Sequence, residues 1–423
     1  MHKIAIIIFP GTNCHEESFR AIARAGMLPE FFRWNDDYEK LKDFAGYFIP
    51  GGFSYEDRVR SGAIAGRDPL MNVIKEEASN GKPIIGICNG AQILVESGLI
   101  PGLESYYLGA GLAWNNHGYL NIWTRIKNES EPARCAFNNF KQGHHFSLPI
   151  AHGEGRWVIP QDLMNQLKEN GQLVFRYCDA SGEEKDEYPI NPNGAMYNLA
   201  GVCNEAGNVL ALMPHPERTP DGLVIFESMR KYLEGDTRYT IHDTDNKQIT
   251  NNQLSIINYQ KPDNTLEILV DLIITDNEAQ TLQTALGQLG YQNVKVRRMT
   301  HWEVLTSDQS PEFIDELIKS GELLNTNKEI PYINNRNMLP FDSAQGRHAT
   351  CYTILVRYKD DFVGQGKLST LNHRLGFKQI KSVKQGVLWE IECSQNDWQK
   401  ILESNILFNP FSQGALIYGQ IHH

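Results

Sequence analysis

Four short apolar runs recur in the first half of the chain: IAIIIF (4–9), GYFIP (46–50), PIIGI (83–87) and VLALM (209–213). Each is too short for a stable helix and apolar throughout, the pattern of a strand buried on both faces. The segments after them are helical in character. PGTNCHEESFRAIARAG offers Asn13 as a cap, Glu16 in the capping-box position and Gly26 as a stop. RDPLMNVIKEEASNG offers Asp68 as a cap, Pro69 at the first helical position and Gly81 as a terminator, and DGLVIFESMRKYLEG supplies a closing helix. Strand, turn, helix and strand at this spacing predict an α/β fold, a mostly parallel, doubly wound sheet with helices on both faces.

A chain of 423 residues exceeds one ordinary core. The α/β pattern fills residues 1–235. Residues 236–264, rich in Asn, Asp and Thr, read as a linker. Beyond them the texture changes and the sequence repeats. Ile268-Leu269-Val270 recurs as Ile354-Leu355-Val356, Leu289-Gly290-Tyr291 as Leu375-Gly376-Phe377, and Trp302-Glu303 as Trp389-Glu390. Three matches in order predict two small α+β repeats, 265–330 and 349–423, joined by a linker over 331–348. Each copy reads as strand, helix, Leu-Gly-aromatic turn, two strands and a helix, and an edge strand ends the second copy.

The formal charge is −11 without a Lys/Arg run, which removes the electrostatic footprint for duplex nucleic acid. No apolar stretch is long enough to span a bilayer, and the start lacks the charged lead and cleavage site of a signal peptide. Seven scattered cysteines with no CxxC pair argue against a disulfide framework or a zinc ribbon, and for the reducing cytoplasm.

The chemistry concentrates at GKPIIGICNGAQ (81–92). A lone cysteine is usually a small buried residue. Cys88, however, stands between an apolar strand and a helix, with glycines two residues to either side. A sharp strand-to-helix turn lifts a side chain out of the sheet, and the helix N-terminus favours a thiolate. A thiolate nucleophile also needs a base and the base an orienting carboxylate. In MPHPER (213–218), His215 and Glu217 are two apart and would project to one side of an extended segment. A histidine between prolines is by itself more often a surface residue. Pro50-Gly51-Gly52 ends a strand, and the N–H groups of Gly52 and Asn89 would complete an oxyanion hole. Glycine pairs after strands are common, so that feature is weak alone.

Together these residues resemble the class I, or triad, glutamine amidotransferases: GICNGAQ fits the GxCxGxQ nucleophile turn and PHPE the His-x-Glu pair. FPGTNC, IPGGFSYED, SGAIAG, IAHGEGR (150–156) and AGVCNEAGNVLALMPHPER extend the likeness over 1–235 to the glutaminase-subunit family of phosphoribosylformylglycinamidine synthase. That resemblance implies a flavodoxin-like sheet. It assigns Cys88 as nucleophile, His215 and Glu217 as its partners, Gly52 and Asn89 as oxyanion donors, and Gly51 and Gln92 as glutamine-binding residues. It further implies glutamine as substrate and ammonia transfer to a separate formylglycinamidine ribonucleotide synthetase subunit in purine synthesis. The chain itself would need no metal or cofactor. ATP and magnesium would belong to the partner, since no GxxxxGK[ST] loop occurs here. The repeats are similar to the small third subunit of the same synthase.

Some residues depart from the family pattern. Glu56 stands where GGFSYGD has glycine, so a left-handed backbone there would be strained. Ala91 replaces an aromatic residue, and 104–145 fits poorly. His144 and His145 lack a Cys or carboxylate at ligand spacing, which favours a solvated pair over a metal site. His152 is a rival base without an orienting carboxylate. Three other readings stand beside the leading one: a glutaminase for another amination, a Cys-His hydrolase, and a silent assembly scaffold.

Overall fold

The structure, a computed structural model, describes residues 1–235, 256–334 and 350–421. Contacts divide the chain into two compact units, 1–250 and 251–423. Most of 236–264 and of 331–348, expected as linkers, lies outside the described residues.

The first unit holds strands β1 (Lys3–Ile8), β2 (Leu28–Arg33), β3 (Gly46–Ile49), β4 (Ile84–Ile87), β5 (Gly111–Trp114), β6 (Leu120–Asn128), β7 (His145–His152), β8 (Glu154–Val158), β9 (Leu173–Tyr177), β10 (Leu199–Cys203) and β11 (Val209–Leu212). Its helices are α1 (His15–Arg24), α2 (Leu70–Ser79), α3 (Asn89–Glu96), α4 (Gln161–Glu169) and α5 (Leu223–Leu233). One nine-stranded sheet runs β2-β1-β3-β4-β11-β10-β9-β6-β7. From β2 to β11 every pairing is parallel, in the flavodoxin-like order with its switch point between β1 and β3. From β11 to β7 every pairing is antiparallel. The sheet is therefore mixed. The antiparallel extension takes β6 from within 104–145, and β6 alternates buried and outward residues instead of showing an all-apolar run. The four apolar runs of the sequence become β1, β3, β4 and β11, and their side chains are almost wholly buried.

The capping signals hold only in part. Helix α1 begins one residue later than Asn13 would place it: Cys14 holds the cap position, with no side-chain cap. Asp68 does cap α2, its Oδ1 accepting from Leu70 N–H at 2.9 Å, although Pro69 precedes the first helical residue.

The second unit contains β12 (Ile257–Asn258), β13 (Thr265–Leu272), α6 (Asn277–Gln288), β14 (Lys295–Thr306), α7 (Pro311–Lys319), β15 (Glu329–Ile333), β16 (Thr350–Tyr358), α8 (Phe362–Ser369), β17 (Ile380–Cys393), α9 (Gln395–Glu403) and β18 (Gln413–Ile421). Its seven-stranded sheet runs β12-β18-β16-β17-β14-β13-β15. Leaving out the short β12, the order is a palindrome about the antiparallel β14–β17 pair. Thr300 faces Val387 there, two residues at the same sequence offset as Trp302 and Trp389. The two strands expected after each Leu-Gly-aromatic turn are one long strand, β14 or β17. Pairing is continuous from Lys295–Glu392 to Leu305–Ser382, with one irregularity before Thr306–Ile380. The described part of 236–264 includes β12, which pairs with β18, and β15 crosses the expected boundary at 330. No helix of the described residues is long and apolar enough to cross a membrane.

Candidate active site

Cys88 comes directly after β4 and caps α3, with φ 52 and ψ −108. A non-glycine residue held there costs on the order of 1–3 kcal/mol, so the surroundings must impose it. They do so by close packing. The N–H of Cys88 donates to Leu212 O at 2.9 Å. A Cβ on Gly86 would lie 2.4 Å from Gly90 O, and one on Gly90 would lie 1.9 Å from Ile49 O. The glycines of GICNG are thus required where α3 crosses the ends of β3 and β4.

His215 lies just beyond β11, the neighbour of β4. Its N–H donates to Pro149 O at 2.9 Å, and its Nδ1 lies 2.6 Å from Glu217 Oε1. This fixes the proton on Nδ1 and leaves Nε2 buried without a hydrogen-bond partner among the described residues. Burial opposes a charge on this ring. Glu217 and the sulfur of Cys88 outweigh it and push the imidazole up from 6.5 to about 10. The charged ring is the state able to protonate a leaving amine. Gly51 lies against both groups: a Cβ there would sit 3.0 Å from His215 Cε1 and 3.4 Å from Cys88 Cβ.

Gly52 forms a bridge with Thr12, made by Asn13 N–H to Gly51 O at 3.1 Å and Phe53 N–H to Gly11 O at 2.9 Å. In such a non-hydrogen-bonded pair the N–H of Gly52 itself points away from its partner strand. The N–H of Asn89, first in α3, has no intrahelical acceptor. Both donors expected from the sequence are therefore free of the ladder and the helix. The Asn89 side chain ties the two segments together, accepting from Ser54 N–H at 2.9 Å and donating to Asp57 Oδ1 at 3.1 Å.

Gln92, expected to hold glutamine, lies on the first turn of α3, four residues after Cys88. Its carboxamide accepts from Asn89 Nδ2 at 2.9 Å and donates to Glu154 O at 2.5 Å, bracing the elbow against β8. Near it sit two carboxyls not singled out in the sequence, Glu154 buried and Asp57 half-buried. Burial pushes Asp57 up to about 6, and burial followed by Asp57 pushes Glu154 up to about 8. Ala91 is fully buried, and His144 is exposed.

Cys14 is a further neighbour that the sequence did not single out, although it lies within FPGTNC. Its sulfur accepts from Arg218 Nη2 at 3.1 Å, and its ligand atom lies within 4.8 Å of those of His215 and Glu217. That set is a poor metal site. Burial and then Glu217 push the Cys14 thiol up to about 12, and a guanidinium already occupies the sulfur.

Glu56 adopts φ 56, within a run in which Tyr55 and Asp57 are also left-handed. A left-handed non-glycine residue costs roughly 1–2 kcal/mol, more than its exposed ion pair with Arg58 returns. Glu56→Gly is expected to stabilise the first unit by about 1 kcal/mol. A urea midpoint that stays put or falls would show that the ion pair and chain stiffness outweigh the strain.

The first unit is similar in sequence to known proteins. A sequence profile of the CobB/CobQ-like glutamine amidotransferase domain matches residues 1–238. The phosphoribosylformylglycinamidine synthase subunit PurQ of Methanothrix thermoacetophila is 45% identical over 259 residues, covering 55% of this chain and 98% of that protein. The PurQ subunit of Aquifex aeolicus is 40% identical over 238 residues, covering 54% and 98%. A chain in the structure of PurLQS from Thermotoga maritima is 34% identical, covering 55% of this chain and all of that one, with a TM-score of 0.45.

Proposed function

The chain belongs to the CobB/CobQ-like glutamine amidotransferases, and from that premise we propose that it serves as the glutaminase component of a phosphoribosylformylglycinamidine synthase. The observation that carries the mechanism is the meeting of Cys88 with the His215–Glu217 pair at the ends of β4 and β11. Cys88 Sγ, its proton passed to His215, attacks the side-chain amide carbon of glutamine. The resulting oxyanion is held by the N–H groups of Gly52 and Asn89. His215 returns the proton to the departing ammonia as the C–N bond breaks, leaving a thioester. Water, deprotonated by His215, attacks the thioester; glutamate leaves and the thiol is restored. Glu217 orients the imidazole and stabilises its charge throughout. Thiol, imidazole and backbone N–H suffice for this chemistry, so the glutaminase needs no metal or cofactor.

Ammonia then passes to a synthetase partner, where ATP and magnesium drive the amination of formylglycinamide ribonucleotide in the cytoplasm. The second unit, with its two β-α-β-α-β passes, supplies the small-subunit function of the same enzyme. A fully assembled Cys-His-Glu set disfavours a silent scaffold, which has no physical need of it.

The test is covalent. A glutamine-mimicking diazoketone, incubated with the chain and its synthetase partner, is expected to label Cys88 alone, read by peptide mass spectrometry. Labelling at Cys14 or another thiol, with Cys88 untouched in a formed complex, would overturn the assignment.

A further inference from the structure

The mechanism leaves one histidine of this neighbourhood unused. His152 ends β7, the strand whose Pro149 O receives His215 N–H and whose Ala151 O lies 3.7 Å from Cys88 Sγ. Its ring is 3% exposed at the residue level, and its Nε2 is buried without a hydrogen-bond partner among the described residues.

The site around the ring is built for it. A Cβ on Gly155 would lie 2.1 Å from His152 Cε1 and 2.3 Å from Nδ1, so the second glycine of HGEGR exists to let the imidazole lie on the backbone. Asn115 clamps the other edge. Its Oδ1 accepts from Gly155 N–H at 3.1 Å, while its Nδ2 donates to His152 O at 2.7 Å and Gly118 O at 3.0 Å. These contacts fix the orientation of the amide, and the same Nδ2 lies 3.1 Å from His152 Nδ1. An amide nitrogen accepts no hydrogen bond, so Nδ1 must face it with a lone pair. The proton therefore sits on Nε2. Burial, with the charge of His215 second, pushes the ring down from 6.5 to about 3 and keeps it neutral.

We infer that His152 is a fixed, neutral hydrogen-bond donor to the glutamine bound at Cys88, and not an alternative base. A buried N–H left unmatched is destabilising, and an acceptor oxygen of the substrate supplies the match. The inference rests on Cys88 as the glutaminase nucleophile, and its test separates the two.

Cys88 is modified in the assembled enzyme by two reagents: the glutamine-mimicking diazoketone, which must be recognised, and methyl methanethiosulfonate, which need not be. Wild-type labelling by the first reports on the nucleophile whatever His152 does. His152→Leu is expected to slow diazoketone labelling and glutamine-dependent kcat/KM by about tenfold or more. It should leave thiosulfonate labelling unchanged. His152→Gln, whose amide N–H reaches the position of Nε2, should recover both to within about threefold of wild type. The pH profile of kcat/KM should keep its shape in both variants. Equal slowing by both reagents, no recovery in His152→Gln, or a lost acidic limb in the pH profile would each overturn the donor role.

Discussion

Cys88→Ala eliminates glutamine-dependent synthesis by the assembled enzyme, a loss of roughly 10⁴-fold or more, while synthesis from added ammonium salt continues at the wild-type rate. Two parts of the structure set this asymmetry. The sulfur is the only atom at the elbow that can form the thioester, and neither His215 nor the oxyanion donors can replace it. Alanine, in contrast, fits the elbow: a methyl group occupies the space of the Cys88 Cβ and keeps the donation of residue 88 to Leu212 O. The measurement is a paired assay of product with glutamine or with ammonium salt, on complex confirmed by size-exclusion chromatography. Loss of both activities in an intact complex would mean that the cysteine also serves the synthetase reaction, and the division of labour would fall.

Gly90→Ala is expected to lower the stability of the first unit by about 3 kcal/mol and to remove more than about 100-fold of glutaminase activity. Helix propensity alone predicts the opposite, a gain of about 1 kcal/mol from replacing a helical glycine by alanine. The steric term decides the sign. The new Cβ would lie 1.9 Å from Ile49 O, a main-chain atom of β3 that cannot swing aside. Helix α3 must move away from β3, carrying the Asn89 N–H away from Gly52 and opening the oxyanion hole. Gly287 near the end of α6 is the control. Nothing lies within 4 Å of a Cβ added there, so Gly287→Ala should obey propensity and stabilise. Urea midpoints of the two variants, compared with wild type, give the signs directly. A stable and active Gly90→Ala protein would show that the elbow tolerates displacement and that the glycine is incidental.

The parallel half of the first unit is legible in the sequence because buried parallel strands read as unbroken apolar runs, and β1, β3, β4 and β11 all do. The antiparallel half is not, because β6 and β7 are half-exposed and alternate, a weaker signal that loops can mimic. Cys88, His215 and Glu217 are legible as candidates because they sit in two short motifs, and the spacing of His215 and Glu217 sets their 2.6 Å contact. His152, Asn115 and Gly155 are not, since what joins them is a ring lying on a backbone, which leaves no periodic trace. Gln92 shows what a motif leaves out: the residue is where the family has it, but its bonds to Asn89 and Glu154 O come from a fold contact that no spacing records. The strain at Glu56 is legible, since a family glycine marks a left-handed position whatever residue replaces it. The long β14 and β17 read as two strands each because strand length is set by pairing across the palindrome, not by local composition.

That palindrome has a consequence for assembly. A single β-α-β-α-β pass would expose the whole twelve-residue edge of β14, a template for any extended chain it met. If the two passes were separate molecules, closing that edge would obey mass action and fail on dilution. Carried on one polypeptide, they meet at an effective concentration on the order of millimolar, set by the connecting segment instead of by expression level. The edge is thus closed in each molecule as it is made, in a fixed ratio of one to one, and the pairing survives at any protein concentration the cell provides.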